Sequence, residues 1–89
     1  MITIHKFVLP FDDEVKIVMP QFAEVRYVGA QDGAVCLWAE INTDAPSSTR
    51  RFCLRGTGHP CPPCAHYIGT AFCPPFVWHV FDPDWEKND

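Results

Sequence analysis

Long apolar runs are absent from this sequence; no stretch approaches the roughly 18 residues that a membrane-spanning helix requires. The opening residues, Met1 to Lys6, have neither the charged lead nor the extended apolar core of a secretory signal, which predicts a cytoplasmic protein. Basic charge is scarce: seven Lys and Arg stand against eleven Asp and Glu, for a net charge of −4. A general nucleic-acid binder presents a strongly basic face, so direct nucleic-acid contact is not expected. The acidity is also too mild for a regular carboxylate array that would imitate DNA. No window carries the apolar period of an amphipathic helix, and no internal repeat is visible.

What is present points to strands. The 89 residues suffice for one domain and not for two. A hydrophobic share of 47% and a charged share of 20% place the chain among globular proteins. Apolar residues alternate with period two and are interrupted by turn residues, the pattern of a β-protein. Ile2 to Leu9 reads as a strand stopped by Pro10, and Val15 to Met19 as a second stopped by Pro20. Ala23 to Val28 follows. Asp32-Gly33 then marks a tight hairpin into Ala34 to Ile41. Asn42 to Thr49 is polar and reads as a loop. Arg50 to Arg55, Tyr67 to Phe72 and Phe76 to Phe81 complete the set, with the Gly- and Pro-rich stretch Gly56 to Cys64 irregular. This predicts a single all-β domain over residues 1–82, with about seven short, mainly antiparallel strands forming a small barrel or a sandwich. Residues 83–89 read as an acidic tail. Asp82, Asp84 and Glu86 are assigned to solvent with it, as are Arg50, Arg51 and Arg55 at a strand edge.

The sharpest local motif is His59-Pro60-Cys61-Pro62-Pro63-Cys64-Ala65-His66. A Cys-x-x-Cys offers two thiolates on one turn, and tetrahedral zinc then needs two more ligands. Cys61, Cys64, His66 and Cys73 make the candidate set, with His59 and His79 in reserve. A second Cys-x-x-Cys, which would make the zinc assignment strong, is missing. Redox use of the pair is not expected, because such pairs sit at a helix N-terminus and no helical pattern follows here. Cys36 and Cys53 lie within strands and read as small core residues. Gly56-Thr57-Gly58 lacks the Lys-Ser/Thr sequel of a phosphate loop. No catalytic constellation emerges, and the protein is expected not to be an enzyme.

Several segments occur in order that together resemble a family of small uncharacterised proteins of tailed bacteriophages and prophages: Cys36-Leu37-Trp38-Ala39, Gly56-Thr57-Gly58-His59-Pro60, Tyr67-Ile68-Gly69-Thr70 and Val77-Trp78-His79-Val80-Phe81. Cys61 and the Pro63-Cys64 step depart from that pattern. The resemblance implies phage origin and transfers no activity. With it, the leading expectation is a non-enzymatic accessory protein that binds and inhibits a host protein, in the manner of anti-CRISPR proteins. The loop carboxylates Asp12, Asp13, Glu14 and Asp32 are its first contact candidates, since acidic loops complement a basic target. Trp38, His59 and Trp78 are the candidate anchors. His59 and His79 are expected to share a hydrogen bond above Trp38. The alternatives are a small zinc-binding module built on Cys61 and Cys64, and an oligomeric phage structural protein associating through a sheet edge.

Overall fold

Period-two alternation gives a strand one apolar and one polar face, and two such sheets are stable when the apolar faces are buried against each other. The computed structural model describes residues 1–88. Its strands are β1 (Ile2–Leu9), β2 (Glu14–Pro20), β3 (Glu24–Gln31), β4 (Ala34–Asn42), β5 (Ser47–Gly56), β6 (His66–Cys73) and β7 (Phe76–Asp82), followed by a 3-10 turn, Trp85–Asn88. They form a three-stranded sheet in the order β1-β4-β3 and a four-stranded sheet in the order β2-β5-β7-β6. Every pairing is antiparallel. The architecture is an all-β sandwich; of the two expected forms, the closed barrel is not the one adopted.

Register explains the core. Leu9, Val35, Leu37, Ala39 and Ile41 project inward from the first sheet, and Val15, Phe52, Leu54, Ala71 and Val80 from the second. Burying one such large apolar side chain stabilises the fold by about 1.5–3 kcal/mol. The sheets come closest where β3 faces β6: a Cβ added to Gly69 would lie 2.5 Å from Cβ of Val28. Asp32 (φ 52°) and Gly33 (φ 75°) are both left-handed, the conformation that an Asp-Gly hairpin turn demands. No helix among the described residues is long and apolar enough to cross a membrane.

Four expectations are corrected. Pro20 does not stop β2; it is the last residue of that strand and stands opposite Ser47. An edge strand tolerates proline because its outer side donates no ladder bond. Ser47 to Thr49 belongs to β5 rather than to a loop, because Val18, Met19 and Pro20 supply it with partners. Asp82 is not solvated: it is buried and ion-paired with the equally buried Arg50 at 3.2 Å. Asp84 likewise holds Arg51, whose Nε and Nη2 each donate to its carboxylate at 2.8 Å. Of the three clustered arginines, Arg50 is therefore bound to the last residue of β7 and Arg51 to the segment read as a tail.

Candidate functional site

Three turns meet at one end of the sandwich: the β1–β2 connection carrying Phe11, the Asp32-Gly33 hairpin, and the Pro74-Pro75 turn between β6 and β7. They enclose an open cleft of about 530 Å³. Proline at both turn positions keeps the last of these walls free of backbone donors. Phe72 and Phe76 flank the prolines, one at the end of β6 and one at the start of β7. Both are well exposed, at 69% and 60%, and so is Phe11 at 55%. Large apolar groups on a strand normally face the core, so three exposed phenylalanines around one cleft form a patch rather than scattered surface residues.

Trp78 also lines this cleft. Phe11 packs against its indole with ring centres 5.5 Å apart, and Phe76 at 6.0 Å. Among the described residues its Nε1–H is buried without an acceptor. A buried donor without a partner costs free energy, which is why such groups are few in native proteins.

The rim is acidic. Asp12 and Asp13 follow Phe11, and Asp32 lines the cleft itself. Among the described residues none of the three forms an ion pair, whereas Glu14, Glu24, Glu40, Asp44, Asp82 and Asp84 all do. Two cations stand nearby and both are engaged with neutral acceptors. Arg55 donates to the backbone carbonyls of Asp13 and Leu54, and Lys6 to the side-chain oxygen of Gln31.

A second cluster occupies the outer face of the four-stranded sheet. The hydroxyl of Thr57 meets His79 Nε2 at 2.7 Å, the hydroxyl of Thr70 meets Nδ1 at 2.9 Å, and Thr70 also bonds the Tyr67 hydroxyl. The expected bond between His59 and His79 is therefore replaced by two threonine bonds. His59 instead rests on Gly56, and shares a hollow of about 240 Å³ with Cys61, Tyr67 and His79. Trp38 does not lie beneath: it sits on the outer face of the other sheet against Tyr27, with ring centres 5.7 Å apart.

The contact candidates thus separate. Asp12, Asp13, Asp32 and Trp78 gather at the aromatic end. Glu14 begins β2 and is drawn toward Arg51 at 3.5 Å, while His59 and Trp38 belong to other surfaces. Phe11, Phe72 and Phe76 were not singled out from sequence. The available signal was Phe72-Cys73-Pro74-Pro75-Phe76, where two aromatics bracket a turn that no buried strand would contain.

The candidate zinc ligands also separate. His66 opens β6 and Cys73 closes it, so roughly 23 Å of extended chain lies between them. Cys73 is buried facing the core; His66 stacks on Trp85 at 4.0 Å. Cys61 lies with His59, and Cys64 with His66 and Trp85. Among the described residues no three His, Cys, Asp or Glu side chains converge on a common point. Burial pushes the Cys53 thiol above its ordinary pKa, which keeps it protonated and unreactive. The hydrogen bonds that Arg51 donates to Asp84, and then the charge of that carboxylate, hold the guanidinium more firmly protonated.

No curated protein and no solved structure matches the chain. One family model does, across residues 1–88. On that match the chain belongs to the DUF7352 family, a domain of unknown function.

Proposed function

We propose that this protein is a non-enzymatic accessory protein of phage origin that binds and inhibits a host protein, such as a component of an antiviral defence, in the bacterial cytoplasm. The observation that carries the reading is the cleft end, where Phe11, Phe72 and Phe76 are exposed around Trp78. Aromatic side chains are enriched at the energetic centre of protein interfaces, and a polar rim surrounds that centre. Asp12, Asp13 and Asp32 provide such a rim. The motifs around Gly56 to Pro60 and Val77 to Phe81 support the phage origin through the resemblance they carry.

The test uses the paired variant Phe72→Ser and Phe76→Ser, both at exposed positions that the core does not need. Phage plating on defended bacteria is compared with and without the protein, together with co-purification of a stoichiometric host component. The expected result is restored plating and a defined complex with the unaltered protein, and loss of both with the variant at unchanged thermal stability. A folded variant that still inhibits, or an unaltered protein that rescues no phage on any defended strain, overturns the reading.

A further inference from the structure

The cleft has a definite chemical character. Its lining is aromatic, two of its walls are hairpin tips, and Asp32 on the lining, with Asp12 and Asp13 next to Phe11, forms no ion pair among the described residues. We propose that the occupant is a basic segment of the partner protein, an extended stretch that seats a bulky apolar side chain between lysines or arginines. This rests on the cleft being the contact surface, and adds the chemistry of what it contacts.

Three observations combine. The volume, about 530 Å³, falls within the range of about 300–1,000 Å³ that accommodates a drug-sized group, and so an aromatic side chain with its adjoining backbone. The opening is wide, with Phe11, Phe72 and Phe76 each more than half exposed, which suits a side chain still attached to a large molecule rather than an enclosed metabolite. The charges select the flanks. Asp12 and Asp13 sit on the β1–β2 connection and Asp32 on the β3–β4 hairpin, so carboxylates stand on two of the three turns bordering the cleft. Lys6 and Arg55, bonded to neutral acceptors, keep their charges, so with the three carboxylates this end of the molecule carries a net charge of about −1. Lysine or arginine on either side of the seated residue finds carboxylates that form no ion pair among the described residues, although Asp12 accepts the Asp13 backbone N–H, whereas acidic flanks meet like charge.

The Trp78 indole reports on occupancy: it lines the cleft and packs against Phe11 and Phe76, so a group seated there changes its surroundings.

The experiment uses three capped pentapeptides with a central phenylalanine: Arg-Lys-Phe-Lys-Arg, Ser-Gly-Phe-Gly-Ser and Glu-Asp-Phe-Asp-Glu. Each is titrated into the full chain while the indole N–H resonances are followed by NMR, with Trp78→Phe identifying the Trp78 signal. The basic peptide is expected to shift that signal and to bind about fivefold or more tightly than the neutral one at low salt. That advantage should vanish near 0.5 M salt, where charges are screened beyond about 4 Å. The triple variant Asp12→Asn, Asp13→Asn, Asp32→Asn should erase the preference while leaving neutral binding intact. Equal binding of all three peptides, preference for the acidic one, or no shift at the Trp78 signal overturns the inference. So does a concentration-dependent shift without peptide, which makes a second copy of the chain the occupant. Loss of host inhibition in the Phe72/Phe76 variant without any peptide preference leaves the accessory-protein reading standing and removes this one; peptide preference without host inhibition does the reverse.

Discussion

The Arg50 guanidinium meets the Asp82 carboxylate at 3.2 Å inside the sandwich, with both side chains almost wholly withdrawn from solvent. The same guanidinium donates to the Ala23 carbonyl at 2.9 Å and lies over the Phe52 ring at 5.5 Å. One side chain thereby ties β5 to the end of β7 and to the residue preceding β3. This ionic link lies at the opposite end of the molecule from the aromatic cleft.

Arg50→Met removes that partner from a buried carboxylate, and the expected loss of stability is about 3–5 kcal/mol. Arg50→Lys recovers little of it, because a single ammonium cannot serve two acceptors in the directions a planar fork does. Urea denaturation followed by tryptophan fluorescence measures both. A loss under about 1 kcal/mol for Arg50→Met is inconsistent with a structural ion pair at this site.

Two glycines separate a rigid close approach from a yielding one. A Cβ on Gly69 would strike Cβ of Val28 at 2.5 Å, where both atoms are fixed to paired strands. A Cβ on Gly29 would strike the Tyr27 ring at 2.6 Å, but that ring is exposed and free to swing out. Gly69→Ala should cost about 1–3 kcal/mol through overpacking. Gly29→Ala should cost clearly less. Thermal melts that rank the two variants the other way would place the closest sheet contact elsewhere.

The cysteines should divide by burial. Cys61 and Cys64 are exposed, and Cys36, Cys53 and Cys73 are buried. Iodoacetamide is expected to modify the first two in the native protein and all five only after unfolding, as read by intact and peptide mass. Cys53 also contributes to pH dependence. Its folded pKa lies above the unfolded value, so the folded state retains a proton that the unfolded chain loses first. Its contribution is complete below the ordinary thiol range and declines as pH rises through it. A stability profile that falls above that range, and flattens in Cys53→Ala, is the expected result.

Arg51→Lys keeps the charge but loses the two-pronged grip on Asp84. Amide exchange at Asp84 to Glu86 should accelerate while β5 stays protected. Unchanged exchange there would mean that the His66–Trp85 stack alone holds the segment in place.

Strands were readable because a half-buried sheet imposes alternation on the sequence, and the Asp32-Gly33 turn because left-handed backbone narrows the residue choice. The ends of β2 and β5 were not. Pro20 and the polar Ser47 and Ser48 carry weak strand signals that pairing between β2 and β5 overrides. Arg50 and Asp82 are separated by 32 positions, and nothing local distinguishes a buried charge with a distant partner from a solvated one. Of the candidate contact residues, the loop aspartates and Trp78 fall together because alternate turns of an antiparallel sandwich return to the same end. Phe72 and Phe76 escaped because a strand pattern assigns every phenylalanine to the core by default. The grouping of Trp38 with His59 failed because adjacency in motif order carries no information about which sheet a strand joins.

The strand order also bears on how the chain reaches this state. Only β3–β4 and β6–β7 are pairings between successive strands; β1–β4, β2–β5 and β5–β7 each wait on residues far away along the chain. Distant pairings must overcome the entropy of closing large loops before any contact rewards them, which slows assembly toward the millisecond-to-second range of β-sandwiches. The two hairpins are the pieces able to form early by local encounter. Their tips, Asp32-Gly33 and Pro74-Pro75, are two walls of the cleft. The cleft thus takes two of its walls from locally paired hairpins, while the third, which sets Phe11 against Trp78, joins two strands whose partners are distant along the chain.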